Sequence, residues 1–334
     1  MVFIKLFAIY TVCFFGFALK VGQAKFFEYD HSHNHEDQEN WTGTCKTGKR
    51  QSPIDIKSEY TNAIRQKHHT LKFNGYTKQV DASIKNNGHT VQVTFTNGAD
   101  KEIWVKDQKL SASKYEFQQA HFHWGDDDTQ GSEHKIDGKS FPMEMHLVHW
   151  NLDVANTMQE AVKKDTGISL EVLGVHFEIG NNNEKFQNLF NAVAKVSKHN
   201  ATVRIKGGIR LNDLLPKNKD AFYRYEGSLT TPGCNEIVMW TIFKEKIEID
   251  SEQMETMRKV TYRHDHEDSL MYNNFREVKL EHGRKIYDVD IEHENDLNDD
   301  NDTSGGISRD KFLRRQTVVE CILFIIFQHL VYIF

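Results

Sequence analysis

The chain has 334 residues, with 42 Lys and Arg against 48 Asp and Glu and a formal net charge of −6. So mild a balance leaves no electrostatic footprint for nucleic acid. A hydrophobic share of 38% with 27% charged residues is the composition of a globular chain rather than a disordered or collagenous one. Residues 1–24 read as a secretory signal: Lys5 supplies a thin positive region, Leu6–Leu19 an apolar run, and Gly22-Gln23-Ala24 a small-residue cleavage pattern. An uncleaved anchor is the alternative. Residues 25–45 are polar, His-rich and without period, an irregular arm in which His31, His33 and His35 form a merely compositional cluster.

Apolar and polar residues alternate from about Leu71 to Val105, most clearly in Val91-Gln92-Val93-Thr94-Phe95, and a period of two indicates strands. Asn86-Asn87-Gly88 and Asn97-Gly98 mark turns between them. Further strand-like runs are Gln119–Trp124, Met143–Trp150, Leu170–Ile179, Ala201–Ile205 and Glu236–Phe243, while Phe186, Leu189, Phe190, Val193 and Val196 follow helical spacing. Strands dominate and do not alternate strictly with helices. The expected fold is α+β, mainly β: a large central, mostly antiparallel twisted sheet with peripheral short helices, in a single domain over residues 25–290.

Residues 291–304 are acidic with almost no apolar content and read as a solvated stalk. Ser304-Gly305-Gly306, a polar spacer and the apolar run Val318–Phe334 together fit a glycosylphosphatidylinositol (GPI) attachment signal over residues 305–334, with Ser304 as the attachment residue. A single-pass membrane helix is the alternative, against which Arg314 and Arg315 stand on the wrong side of the tail for the positive-inside rule. With Cys13 in the signal and Cys321 in the tail, the remaining chain keeps Cys45 and Cys234, either one bridge of an oxidising compartment or two free thiols. Glycosylation sequons at Asn40, Asn200 and Asn301 agree with export.

The chemistry lies in His121-Phe122-His123-Trp124 and Glu144-Met145-His146-Leu147-Val148-His149-Trp150. Residues two apart on a strand share a face. His121 and His123 therefore point together, and His146 on a neighbouring antiparallel strand can complete a triangle. Three imidazoles without a fourth protein ligand are the signature of a catalytic zinc site, which keeps one tetrahedral position open. Other metal motifs fail. The stretch Asp126–Gly131 departs from a calcium loop at Gln130 and again at Asp137, and neither His35-Glu36 nor His293-Glu294 is followed by the second histidine of a zinc protease.

Seven motifs stand in one order: QSPIDI (Gln51–Ile56), NNGH (Asn86–His89), QAHFHWG (Gln119–Gly125), GSEH (Gly131–His134), EMHLVHWN (Glu144–Asn151), VLG (Val172–Gly174) and SLTTPG (Ser228–Gly233). From about Phe26 to about Tyr287 the chain resembles an α-class carbonic anhydrase, and TTPGC around Cys234 resembles the secreted and membrane-linked, GPI-type branch, where Cys45 and Cys234 would pair. The resemblance implies zinc-dependent, reversible hydration of carbon dioxide to bicarbonate and a proton, by zinc-hydroxide attack, at the extracellular face of the plasma membrane. The substrate is a small molecule, and the membrane is reached through the lipid anchor, with plain secretion or a membrane span as alternatives.

The same resemblance assigns roles. His121, His123 and His146 would hold Zn²⁺, with Gln119, Glu144 and the Asn274 carbonyl as their outer partners. Thr230 would donate to Glu133 and orient the nucleophile, and Thr231 would help to position bicarbonate. His89 would shuttle protons, assisted by a solvent network on Tyr29, Asn87 and Gln92, where Gln92 replaces the asparagine usual in fast members. Val148, Leu170, Val172, Leu229, Val238 and Trp240 would form the apolar wall for carbon dioxide, and His134 and His149 would be structural. Two other readings compete: a silent binding module on this fold, and a mineral-matrix or adhesion protein using the acidic stretch. Non-catalytic relatives lose one or more ligand histidines, whereas all three stand here.

Overall fold

In a computed structural model the described residues are 29, 38, 40–64, 70–96, 102–107, 113–262 and 269–291. The signal, the cluster of His31, His33 and His35, the Asn97-Gly98 turn, Asn301, Ser304, the stalk from 292 onward and the C-terminal tail lie outside them. Among the described residues a thirteen-stranded sheet carries the fold. Ten of its strands run side by side in the order Thr202–Arg204, Ala82–Asn86, Val91–Phe95, Tyr115–Trp124, Met143–Asn151, Leu170–Ile179, Val238–Phe243, Ala221–Gly227, Tyr287–Asp290 and Asn62–Ile64, with Leu71–Asn74, Trp104–Asp107 and Ile247–Ile249 paired off this path. Most neighbours are antiparallel; Leu170–Ile179 runs parallel to Val238–Phe243 and to Ile247–Ile249.

The central strands are covered on both faces, and all nine residues of Met143–Asn151 are buried. One face holds the main core, where Ala120, Phe122, Trp124, Met145, Leu147, Leu173 and Val175 meet side chains of the helices Gln187–Val193 and Ser251–Arg258, including Leu189, Phe190, Met254 and Met257. A second, smaller cluster on the opposite face contains Val148, Leu170, Val172, Val238, Trp240 and Tyr225. Gln119, His121, His123, Glu144 and His146 project from this second face. Ile291, placed at the head of the stalk by its sequence, is instead buried against the main core.

Several elements differ from the sequence reading. Strand Tyr115–Trp124 begins four residues before Gln119, because a register shift between Phe117 and Gln119 breaks its period of two. Phe117 therefore faces the main core, while Gln119, His121 and His123 face the other way. Strand Ala221–Gly227 has six of its seven residues buried and so shows no alternation. The helix Ser251–Arg258 is announced by a capping box, in which the Asp250 side chain accepts from the Gln253 backbone and Gln253 reciprocates. Among the described residues no helix is long and apolar enough to cross a membrane.

Candidate metal centre and active site

Strand register assembles the three histidines. His121 lies directly opposite His146, and His123 directly opposite Glu144. Gln119, His121 and His123 therefore share a face with Glu144, His146 and Val148. His146 Nδ1 lies 3.3 Å from His121 Nε2, and one ring nitrogen from each of the three histidines falls within 4.8 Å of the others.

The remaining nitrogen of each ring is occupied. His121 Nδ1 lies 2.9 Å from Gln119 Oε1, His123 Nδ1 2.7 Å from the Asn274 carbonyl, and His146 Nε2 2.7 Å from Glu144 Oε1. An N–H donated to each acceptor turns the lone pair of the other nitrogen toward the common point. Burial pushes the pKa of His121 well below the usual histidine range, an effect reinforced by His123 and His146, and burial also lowers His146. Neutral imidazoles are what a metal requires. His123 Nε2 is buried without a protein partner, an orphaned lone pair that a Zn²⁺ ion satisfies. The donor set thus fits zinc.

Behind His146 stands a buried carboxylate with several donors. Glu144 Oε1 accepts from His146 Nε2 and, at 2.8 Å, from His134 Nδ1, while Oε2 accepts the His134 backbone N–H at 2.7 Å. Burial alone would raise the pKa of Glu144, but the imidazoles of His134, His146 and His176 hold it well below the usual carboxylate range. The chain of bonds continues from His134 Nε2 to the Tyr225 hydroxyl at 2.6 Å and from there to Ser52 Oγ at 2.8 Å. His134, Glu144 and His146 satisfy one another in this way and form a hydrogen-bond network rather than a second metal site. His134, read as merely structural, therefore orients the carboxylate that orients a ligand.

Gly174 lies opposite His146 on the next strand. A Cβ there would come within 2.6 Å of Ile242 Cδ1 and 3.2 Å of Glu144 Oε1, so the missing side chain is clearance for Ile242 first and for the carboxylate second.

The triad opens into a cavity of about 250 Å³. Tyr29, Asn87, His89, Thr90 and Gln92 line it, together with Val148, Met158, Val172, Leu229, Thr230, Thr231 and Trp240. Leu170 and Val238, expected in the apolar wall, are fully buried in the cluster and absent from the lining. Met158 is present in their stead, from a short helix that no sequence period revealed. His89 is half-buried at the rim of a turn built by two asparagines. Asn86 Oδ1 accepts the Gly88 N–H at 2.9 Å, and Asn87 Oδ1 accepts those of His89 at 3.0 Å and Thr90 at 2.9 Å. Gly88 has φ 89°, the left-handed region that favours glycine. Asn87 Nδ2 donates to Gln92 Oε1 at 3.3 Å, and Tyr29 meets His123 edge-on at 6.2 Å between ring centres.

Glu133 is buried, and its Oε1 accepts the Arg276 backbone N–H at 2.8 Å. The hydrogen bond expected from Thr230 is not made at the other oxygen, since Oε2 is buried without a hydrogen-bond partner and lies 3.9 Å from His146 Nδ1. Cys45 and Cys234 are joined in a disulfide. The Cys234 N–H donates to the Thr231 carbonyl and the Leu229 N–H to the Asn235 carbonyl, so the bridge fastens the loop that carries Leu229, Thr230 and Thr231.

A family model described as "Eukaryotic-type carbonic anhydrase" matches residues 36–290. The chain belongs to the eukaryotic-type carbonic anhydrases. It is 37% identical over 253 residues to "Carbonic anhydrase 4" of Rattus norvegicus, covering 75% of this chain and 78% of that protein. It is 35% identical to "Putative carbonic anhydrase 3" of Caenorhabditis elegans over 258 residues, or 76% and 96% of the two chains. "Carbonic anhydrase 7" of Homo sapiens is 36% identical over 243 residues, or 72% and 88%. As a carbonic anhydrase the protein is a zinc enzyme for carbon dioxide hydration, and its histidine triad is positioned to bind the metal.

The outer partners of this carbonic anhydrase lend themselves to direct measurement. Glu144→Gln keeps the shape but replaces one acceptor by a donor facing imidazole N–H groups. Zinc affinity should fall by about 10–100-fold in competition with a chelating dye. Undiminished affinity would show that Glu144 does not orient His146.

Proposed function

We propose that this carbonic anhydrase works outside the cell, with His121, His123 and His146 as zinc ligands, Thr230 and Glu133 orienting the reactants and His89 moving the proton. The observation that carries the reading is the convergence of three ring nitrogens in a cavity lined by both polar and apolar side chains. When bound, zinc supplies a water acidic enough to lose its proton near neutral pH, a property known for this class of enzyme in general.

The residues around the triad supply the rest. Glu133 Oε1 is already taken by the Arg276 N–H, which leaves Oε2 as the acceptor for the Thr230 hydroxyl. Once that hydroxyl donates to Glu133, the Thr230 oxygen can only accept a hydrogen bond from the reacting water, which fixes its orientation. Val148, Val172, Leu229 and Trp240 present an apolar surface beside the triad. Carbon dioxide carries no charge and needs little more than proximity and orientation there, while Thr231 is within the same cavity for the bicarbonate product.

Each turnover leaves a proton to be exported. His89 is the imidazole at the half-buried rim of the cavity, on a turn braced by Asn86 and Asn87, and histidine is the side chain whose ordinary pKa suits proton transfer near neutrality. Asn87, Gln92 and Tyr29 offer polar atoms along the way for ordered water.

Export is supported by the disulfide, which forms and persists in oxidising compartments, and by exposed sequon asparagines at positions 40 and 200. The signal-like residues 1–24 and the Ser304-Gly305-Gly306 pattern ahead of an apolar tail point to a GPI anchor on the extracellular face.

Three experiments test the reading. His121→Ala should abolish both zinc retention, by metal analysis, and hydration, by stopped flow; unchanged turnover would refute the ligand set. His89→Ala should lower kcat in weak buffer while sparing kcat/KM, and added imidazole should restore it. A wild-type rate in dilute buffer would remove His89 from the mechanism. Phosphatidylinositol-specific phospholipase C should release the protein from intact cells, and retention would exclude the lipid anchor.

A further inference from the structure

Phe122 stands between two zinc ligands, and whatever holds its backbone sets the distance between them. Its ring is fully buried in the core on the far side of the sheet. Its backbone faces strand Val91–Phe95, but the ladder between the two strands runs only through the pairs Val93–Ala120 and Gln92–His121. One further step would pair Val91 with Phe122. A side-chain hydroxyl takes over there. Thr90 Oγ1 accepts the Phe122 N–H at 3.1 Å and donates to the Phe122 carbonyl at 2.5 Å. The same carbonyl accepts from Asn274 Nδ2 at 3.1 Å, and the Asn274 backbone carbonyl is the acceptor for His123.

We propose that Thr90 is a positioning residue of the zinc site, its hydroxyl clamping both polar backbone groups of Phe122 and thereby fixing the spacing of His121 and His123. The inference rests on the ligand set proposed above. A hydroxyl can donate and accept at once, so one side chain does here what a backbone pair does elsewhere in the ladder. The clamp is itself anchored, because the Thr90 N–H donates to Asn87 Oδ1, the oxygen that also holds His89. Thr90 is 8% exposed and lines the cavity beside the triad. Released from the clamp, the Phe122 N–H would be left buried and unpaired, and the strand would shift to satisfy it. Any such shift moves the two imidazoles on either side of it.

Zinc release from the loaded, full-length protein to a chelating dye distinguishes this role from general support of the fold. Thr90→Val matches the side-chain volume without the hydroxyl and should release zinc about 10-fold faster, the scale of effect expected for a residue that orients a metal ligand. Thr90→Ser keeps the hydroxyl and should release zinc at the wild-type rate. A folded T90V that releases zinc as slowly as wild type overturns the clamp, and so does a T90S that loses zinc as fast as T90V. Should T90V fail to fold, T90A compared with T90S decides in the same terms: faster release from T90A supports the clamp, and equal release overturns it. A wild-type chain that holds no zinc would bring down the ligand set and the clamp with it. Zinc-holding wild type with equally slow hydroxyl-free variants would bring down the clamp alone.

Discussion

The antiparallel pairing of Tyr115–Trp124 with Met143–Asn151 is the constraint on which the site depends. Because side chains alternate with a period of two, sliding either strand by one residue would turn the imidazoles toward the main core and bring Phe122, Met145 and Leu147 into the cavity. That slip is opposed from both faces at once. The hydrophobic residues between the histidines are fully buried in a core that extends to the helices, so the register that places His121 against His146 is also the register that buries Phe122, Trp124, Met143 and Met145. Packing on one face thereby sets coordination geometry on the other. The bulge ahead of Gln119 reconciles the two, since it lets Tyr115 and Phe117 face the same core as Ala120 and Phe122.

Burying a carboxylate behind a metal ligand is costly unless it is fully hydrogen-bonded. Glu144 meets the condition by spreading its two oxygens over His146 Nε2, His134 Nδ1 and the His134 backbone. The relay onward to Tyr225 and Ser52 means that His134 is itself fixed at both ring nitrogens, which defines its tautomer and aims its proton at Glu144. Asn274 serves the other ligand strand in the same spirit. Its side chain ties the carbonyls of His89 and Phe122 and accepts the Trp124 N–H, while its own carbonyl takes the proton of His123. Two polar hubs, each buried and each shared among several residues, hold His146 and His123, while Gln119 on the same strand holds His121.

What could be read from the sequence was whatever local periodicity and spacing encode. The HFH and MHLVH patterns disclose which imidazoles share a face, and the Asn86-Asn87-Gly88 turn signals the platform of His89. Long-range compensation stayed hidden. Strand Ala221–Gly227 eluded a polarity pattern because Arg224 sits in its middle fully buried, forked onto Glu171 at 2.9 and 2.7 Å and bonded to Thr241 at 2.6 Å. An arginine in a strand looks like a solvent face until its carboxylate partner, 53 positions away, is known. Leu170 and Val238 failed as wall residues for a related reason. Both are apolar and near the site in sequence, but depth within the cluster, not residue type, decides which side chains reach the cavity. Gly174 stood out only as the end of the VLG motif, because the physical reason for it lies in Ile242 and Glu144 on the neighbouring strands.

The lining of the cavity is held in two different ways. Ring nitrogens and the Asn87 turn are set by strands and by the asparagine hubs, elements continuous with the sheet. Leu229, Thr230 and Thr231 instead leave the end of strand Ala221–Gly227 and return to strand Val238–Phe243 through a loop with positive φ at both Gly233 and Cys234. Such a backbone gains little from ladder bonds, and its fixed points are the bonds from Leu229 to Asn235 and from Cys234 to Thr231, together with the covalent tie of Cys234 to Cys45. Gln51 adds a further hold from beneath, donating Nε2–H to the Cys234 carbonyl at 3.1 Å while its Oε1 accepts from Arg276 Nη1 at 3.0 Å. Arg276 is the residue whose backbone N–H engages Glu133. The disulfide, Gln51, Arg276 and Glu133 therefore form one connected support, which joins the loop that carries Leu229, Thr230 and Thr231 to the buried carboxylate behind the triad through the same few side chains.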